Sequence, residues 1–216
     1  MIATAKHRPA TFADLHRKLG EVPLDRIRLI PAPGTATEAD LLTASKPTCE
    51  LIDGVLVEKA MGTRESLMAG LIFGYLWDFL KTHKLGRLFP ADGMCRLRPG
   101  NVRVPDVSFI TWDRMPAEDE PEEKIWSITP TLAIEVLSDS NTKAEIDQKL
   151  GDLFSSGCKL AWVINPRTQK AKVYTSAKRF KEIDETGSLD GGKVLPGFTL
   201  TLADLFAETS RRTPTE

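Results

Sequence analysis

The sequence predicts an α/β protein built as helix, three strands, helix and strand around a mixed sheet flanked by helices. Two observations carry that expectation. Apolar runs with the length and bounding turns of strands fall at 93–97, 103–111, 131–137 and 159–164. Helix-like segments at 64–83 and 142–156 stand before the first three and before the fourth, giving the order αβββαβ. A third observation concerns what the sheet carries. Val104-Pro105-Asp106-Val107-Ser108-Phe109-Ile110 and Leu132-Ala133-Ile134-Glu135-Val136-Leu137-Ser138 each place one carboxylate inside a strand-forming run. Burying a lone acid is costly unless it is paired, protonated or bound to a cation.

Each element has a local reason. Thr11-Phe12-Ala13-Asp14-Leu15 has the spacing of a capped short helix, and residues 37–42 suggest another. Pro31, Pro33 and Gly34 break the chain between them, so residues 1–48 read as an extension with short helices and no evident chemistry. Cys49 to Glu58 reads as a β-hairpin turned at Asp53-Gly54. The helix at 64–83 is dense enough in Leu67, Leu71, Phe73, Leu76, Trp77 and Leu80 to be buried nearly all round, with Gly86 as its C-terminal cap. Arg98-Pro99-Gly100-Asn101 is a turn, and 115–124, acidic and proline-containing, an exposed loop. Asn165-Pro166 stops the strand at 159–164, and 170–175 returns as a hairpin. A turn at Asp190-Gly191-Gly192 and a short helix at 202–206 follow.

Composition narrows the class. The 216 residues suffice for one core of roughly 150 residues plus decoration. Hydrophobic residues at 41% and charged residues at 27% are ordinary for a soluble protein, and a net charge of −1 gives no global footprint of a nucleic-acid binder. Cys49, Cys95 and Cys158 are widely spaced and odd in number, which predicts reduced, mostly buried thiols rather than disulfides or a zinc site. No apolar stretch is long enough to span a bilayer and no signal peptide is evident, so the expectation is a cytoplasmic protein without a membrane partner. His7, His16 and His83 lack ligand spacing, and no glycine-rich phosphate loop precedes a helix.

The two strand acids therefore carry the chemistry. Phosphodiester hydrolysis needs an attacking water, neutralisation of developing charge and stabilisation of the leaving oxygen, which carboxylate-held Mg²⁺ supplies. Mg²⁺ keeps several waters, so two or three carboxylates suffice. Adjacent strands lie ~4.8 Å apart, close enough for Asp106 and Glu135 at matching heights to share an ion. Lys149, one helical turn after Glu145 on the same face, is the basic candidate, and Lys143 the less inward-pointing one. Ser138 either hydrogen-bonds a ligand or caps the next helix. Against this stand the bland readings: a structural ion pair for Glu135 and a solvated helix lysine for Lys149. The three together favour function.

In this order the residues resemble the PD-(D/E)XK nuclease superfamily and, within it, the Uma-type family of proposed restriction endonucleases, once a domain of unknown function. The resemblance spans roughly residues 40–200. It rests on Glu50-Leu51-Ile52-Asp53-Gly54, Arg103-Val104-Pro105-Asp106-Val107, the Glu135 strand, Lys149, Gly157, Ala161-Trp162-Val163-Ile164-Asn165-Pro166 and Leu195-Pro196-Gly197-Phe198. It implies a restriction-endonuclease-like αβββαβ core, a nuclease-like domain over 49–208 and a tail over 209–216. It further implies Asp106 and Glu135 as metal ligands, Lys149 as a catalytic lysine migrated to the helix, Mg²⁺ with Mn²⁺ as a substitute, a DNA substrate and, by analogy, a homodimer. Glu50 and Glu65 carry over as further acids. The chain departs from the family at Leu137, where the commoner lysine stands, and at Ser66, Leu153 and Asn165. Those departures, with the near-neutral charge, motivate an alternative: a catalytically inactive nuclease fold that binds nucleic acid or protein. Arg96, Arg98 and Arg103 around one turn are weak phosphate-contact candidates, and Trp112, Trp126 and Trp162 are expected to pack.

Overall fold

Thr11 and Thr37 each accept a hydrogen bond from the amide three residues on, and Asp14 and Asp40 return it to the threonine amides. These capping boxes open α1 (Phe12–Lys18) and α2 (Glu38–Thr43) in the computed structural model, which describes residues 11–115 and 123–210. A hairpin of β1 (Cys49–Ile52) and β2 (Val55–Glu58) follows, turned through Asp53 at φ 48° and Gly54 at φ 82°, the paired left-handed residues of a type I′ turn. Next come α3 (Thr63–Thr82), β3 (Gly86–Phe89), β4 (Cys95–Arg98), β5 (Asn101–Arg103), β6 (Val107–Thr111) and β7 (Leu132–Val136). The chain continues through α4 (Lys143–Ser155), β8 (Leu160–Asn165), β9 (Lys170–Tyr174), β10 (Phe180–Ile183), β11 (Ser188–Asp190), β12 (Thr199–Thr201) and α5 (Leu202–Ser210).

The central sheet has six strands in the order β10-β9-β8-β7-β6-β3, with β7 and β8 parallel and the other pairs antiparallel. This is the expected mixed sheet. Alternation along β7 splits its side chains: Leu132, Ile134 and Val136 enter the main core with α3 and α5, while Ala133 faces the α4 side. A second, four-stranded antiparallel sheet has the order β2-β1-β5-β4.

The expected strand at 103–111 is in fact two. Arg103 ends β5 in the four-stranded sheet, and Val107 begins β6 in the six-stranded one. Pro105 between them has no N–H to give to a ladder, so the chain changes sheets there. Asp106 is thereby fixed at the junction of the two sheets.

Two other expectations are corrected. α3 is buried along one stripe only, through Met68, Ala69, Ile72 and Leu76, while Leu67 and Trp77 are more than half exposed. Apolar density overstated its burial because Phe73 and Trp77 stack on each other on the outer face. Gly86 does not cap α3, which ends at Thr82; it opens β3, where a Cβ would stand 2.0 Å from the Ile110 carbonyl oxygen. Strands β3 and β10–β12 carry too little apolar alternation to be read from sequence. The acidic loop expected at 115–124 lies largely outside the described residues, as does most of the tail from 209.

The cysteines are unpaired and buried. Trp162 is buried and stacks on Phe198, Trp126 meets Phe89 edge to face, and Trp112 is half exposed with Arg87 over its ring. No helix among the described residues is long and apolar enough to cross a membrane.

Two glycines test the packing argument. Gly86→Ala must displace backbone of the neighbouring strand and is expected to cost about 1–3 kcal/mol. Gly70→Ala, in α3 with open space around it, is expected to add about 0.5–1 kcal/mol. Chemical denaturation of both variants checks the signs; equal effects would refute the close approach at Gly86.

Candidate functional site

The sheet junction gathers the acids. β6 and β7 are antiparallel with Val107 opposite Ile134, so the register puts Asp106 across from Glu135. The Asp106 amide donates to the Ile134 carbonyl (3.0 Å), and the Val136 amide donates to Asp106 Oδ2 (2.7 Å). These bonds fix the Asp106 carboxylate from both sides. β1 contributes Glu50, whose Oε1 accepts from the Val104 amide (2.9 Å), and α4 contributes Lys149. Asp106, Glu135, Glu50 and Lys149 are all less than 7% exposed. The sequence-predicted trio is therefore brought together.

Lys149 is the hub. Its Nζ donates to Glu135 Oε2 at 2.7 Å and to the Val104 carbonyl at 3.4 Å, and stands 2.8 Å from Glu50 Oε1 as an ion-pair contact. Glu50 is fully engaged, because Arg103 Nη1 donates to its other oxygen at 2.8 Å. Arg103, 1% exposed, also grips Asp152 of α4 at 2.5 Å. Its weak candidacy for a phosphate contact is thus corrected: it is an internal clamp between β5, β1 and α4. Arg98 pairs with Asp53, and Arg96 with Glu38.

Two further cations join the site from outside the sequence-predicted set. Lys59, just past β2, places Nζ 2.8 Å from Asp106 Oδ1 as an ion-pair contact lacking hydrogen-bond alignment. The signal existed: Glu50 pairs with Val57, and alternation carries that face on to residue 59. Arg26, in the 3₁₀ turn Leu24–Arg26, makes two bonds to Glu145 at 2.6 and 2.9 Å and donates to the Glu58 carbonyl. Nothing in the sequence announced that reach from the N-terminal extension.

The remaining candidates stand apart. Glu65 accepts from the Gly62 amide at 3.0 Å, closing the first turn of α3, and does not line the acid cavity. Ser138 donates to Asn141 Oδ1 at 3.1 Å, and α4 is capped by Thr142 instead. Lys143 is exposed and pairs with Asp147.

Four carboxylates (Glu50, Asp106, Glu135, Glu145) and three cations (Arg26, Lys59, Lys149) line a cavity of about 20 Å³, room for one water-sized occupant. Negative charge is in surplus, and it falls on Glu135. Burial pushes its carboxyl up to about 7, with Asp106 and Glu50 adding to the rise against the pull of Lys149. Glu50 goes the other way: against its burial, Lys149 and Arg103 hold it down at about 2. Burial opposes the charge on Lys149, but Glu135, Glu50 and Asp106 keep it protonated.

Among the described residues no three His, Cys, Asp or Glu side chains converge as a ready ligand cluster. Lysine ammoniums stand in that space. Yet Asp106 Oδ1 and Glu135 Oε1 are buried without a hydrogen-bond partner. Such orphaned oxygens carry a desolvation cost that a hard cation would relieve. Two carboxylate oxygens suit Mg²⁺, which brings its own waters, so the residues fit the ion.

A mixed sheet with an acid at the start of one strand, an acid in the next and a lysine on the following helix defines a protein of nuclease-like fold. The chain matches the family described as "Uma2: Putative restriction endonuclease" over residues 37–203, and it belongs to that family. It is also similar to a solved structure described as a putative nuclease belonging to DUF820 from Anabaena variabilis. That likeness has a TM-score of 0.69 at 23% identity, covering 79% of this chain and 97% of the other. A search of curated proteins finds no match.

The raised Glu135 carboxyl makes a stability prediction. Its folded value lies above its ordinary 4.5, so ionising it weakens the fold as pH rises from about 4.5 to about 7. Glu50, held below its ordinary value, contributes stability that is lost only as pH falls towards 2. Glu135→Gln should therefore match the wild type near pH 4 and exceed it at pH 8 by on the order of 3 kcal/mol or less, in chelator. Denaturation at both pH values checks this; a pH-independent difference would place the extra proton elsewhere.

Proposed function

We propose that this chain is a metal-dependent endonuclease that hydrolyses DNA phosphodiester bonds. The observation that supports the reading most is the pair of orphaned oxygens, Asp106 Oδ1 and Glu135 Oε1, buried beside the Lys149 ammonium. Asp106 and Glu135 would hold Mg²⁺, with Mn²⁺ as a substitute. The ion, when bound, supplies charge neutralisation at the phosphate and an acidified water.

This chain's residues do the rest. The Asp106 carboxylate is oriented through Oδ2 by the Val136 amide, which leaves Oδ1 turned towards Lys59 and the cavity. Lys149, held by Glu50 and Glu135, sets its ammonium beside the position of the attacking water or the phosphate oxygen. Glu50 acts as a positioning partner for Lys149, since both its oxygens are already taken. Glu135, whose carboxyl burial raises to about 7 in the metal-free chain, would give up that proton to hold the ion, so metal binding is expected to strengthen as pH rises through 7. Lys59 balances Asp106 and would have to yield as the ion binds. Two such chains would cut both strands of a duplex, which is the reason for reading a homodimer.

Plasmid nicking with Mg²⁺ or Mn²⁺ tests the proposal. Asp106→Ala and Glu135→Ala should abolish cleavage, and Lys149→Met should lower turnover roughly 10²- to 10⁴-fold while metal binding persists. Circular dichroism accompanies each variant, because unpairing a buried ion costs about 3–5 kcal/mol. Cleavage by Glu135→Ala at the wild-type rate would remove that residue from the site. No cleavage by the wild type would favour a nuclease fold that binds without cutting.

A further inference from the structure

Beside the acid cavity lies a far larger groove of about 840 Å³, between α4 and the β8–β10 part of the sheet. Strands β9 and β10 run past the helix and leave their α4-side face uncovered. Register puts Lys170 beside Asn165, Lys172 opposite both Val163 and Glu182, and Tyr174 opposite Phe180 on that face. The groove carries Lys143, Arg167, Lys170, Lys172 and Lys178 against Asp147 and Glu182, in a chain whose net charge is −1. Basic charge is therefore concentrated here.

The existing ion pairs leave these cations available. Lys170 and Lys172 share Glu182 at 3.4 and 3.8 Å, Lys143 pairs with Asp147, and Arg167 pairs with Asp139 at 2.7 Å. Every one of these residues is more than a third exposed, and exposed pairs of this kind contribute about 0–1 kcal/mol. A phosphate can replace the carboxylate at little cost. Phe180, 46% exposed, lies in the same groove with Lys172 Nζ 4.6 Å from its ring centre. A large aromatic left open among lysines is the arrangement that stacks a base while its phosphate is neutralised.

The groove also leads to the acids. Asn141 and Ile146 line both it and the cavity that holds Asp106 and Glu135. Leu137 and Ser138, on the groove wall, follow Glu135 by two and three residues. A volume on the scale of a small-molecule site, about 300–1,000 Å³, suits an unstacked strand rather than a whole duplex.

We propose that this groove binds a single-stranded DNA segment, phosphates on Lys170, Lys172 and Lys178 and a base on Phe180, and delivers it to the acid cavity. The proposal rests on the nuclease reading, since it names the substrate form of that same site.

Fluorescence anisotropy of a labelled oligo-dT of about 12 nucleotides tests it, in chelator so that no cleavage occurs. The wild-type chain should bind the strand more tightly than the matching duplex. Phe180→Ala should weaken binding roughly 5- to 150-fold. Lys170→Gln and Lys178→Gln should each flatten the slope of log affinity against log salt by about 0.7. Lys181→Gln removes the same charge from the opposite face of β10 and should leave binding unchanged. Tighter duplex binding, an equal loss in Lys181→Gln, or no effect of Phe180→Ala and Lys178→Gln would each overturn the groove. Strand binding with these variant effects but no cleavage of the bound oligonucleotide in Mg²⁺ would uphold the groove and refute the nuclease. Oligonucleotide cleavage that survives the groove variants would do the reverse.

Discussion

Burying four carboxylates at one sheet junction is the constraint on which the rest of this structure depends. An unpaired buried charge is among the costliest things a fold can hold, so each acid must be met by a cation delivered from a different part of the chain. Lys149 comes from α4, Arg103 from β5, Lys59 from the end of β2 and Arg26 from the N-terminal extension. These contacts tie α4 and the four-stranded sheet to the central one. The ion network is therefore an assembly device as well as a candidate site. The N-terminal segment belongs to it: Leu19, Val22 and Ile27 pack with Ile52, Val55 and Val57, and that packing carries Arg26 to Glu145.

With Arg103 counted, the cations match the four acids in number but not in geometry, and the mismatch is informative. A network selected for stability alone would satisfy every buried oxygen or replace both partners with apolar groups. Here two buried oxygens without hydrogen bonds belong to Asp106 and Glu135. Unmet bonding capacity in opposed residues of neighbouring strands is what the proposed metal site would use. A purely structural ion pair at Glu135, the bland reading of the sequence, accounts for Lys149 but leaves the orphaned oxygens unexplained.

How much of this was legible follows from which signals are local. Capping boxes, the Asp53-Gly54 turn and the Glu135 strand are written in neighbouring residues, and each is where the sequence placed it. Family resemblance carried Lys149, whose role depends on a helix packing back over the sheet; Glu145 one turn earlier gave the helical face but not the contact. The break at Pro105 was visible as a proline yet read through, because the flanking apolar runs look like one strand. Gly86 looked like a helix cap for a similar reason: a close approach to Ile110 comes from strand pairing, which sequence spacing does not encode. Lys59 lay within reach of the alternation rule. Arg26 did not, since its contact to Glu145 spans 119 residues.

The basic groove shows the same limit from the other side. A net charge of −1 counts against a high-affinity nucleic-acid binder, yet net charge averages over faces and leaves room for a locally basic groove. Strand alternation sorts β9 and β10 so that Lys170, Lys172 and Phe180 share one face while Ala171 and Ile183 enter the core. α4 packs through Ile146 and Leu150 on Ala161, Val163 and Tyr174, and Phe180 on the next strand out stays 46% exposed. The groove thus follows from a sheet that extends sideways beyond α4, and it borders the cavity of Asp106 and Glu135 through Asn141 and Ile146. On the proposed reading, cations outside and acids within separate the two tasks: the groove would draw in the strand and the junction the metal, because a cavity basic enough to hold phosphate would repel a divalent ion.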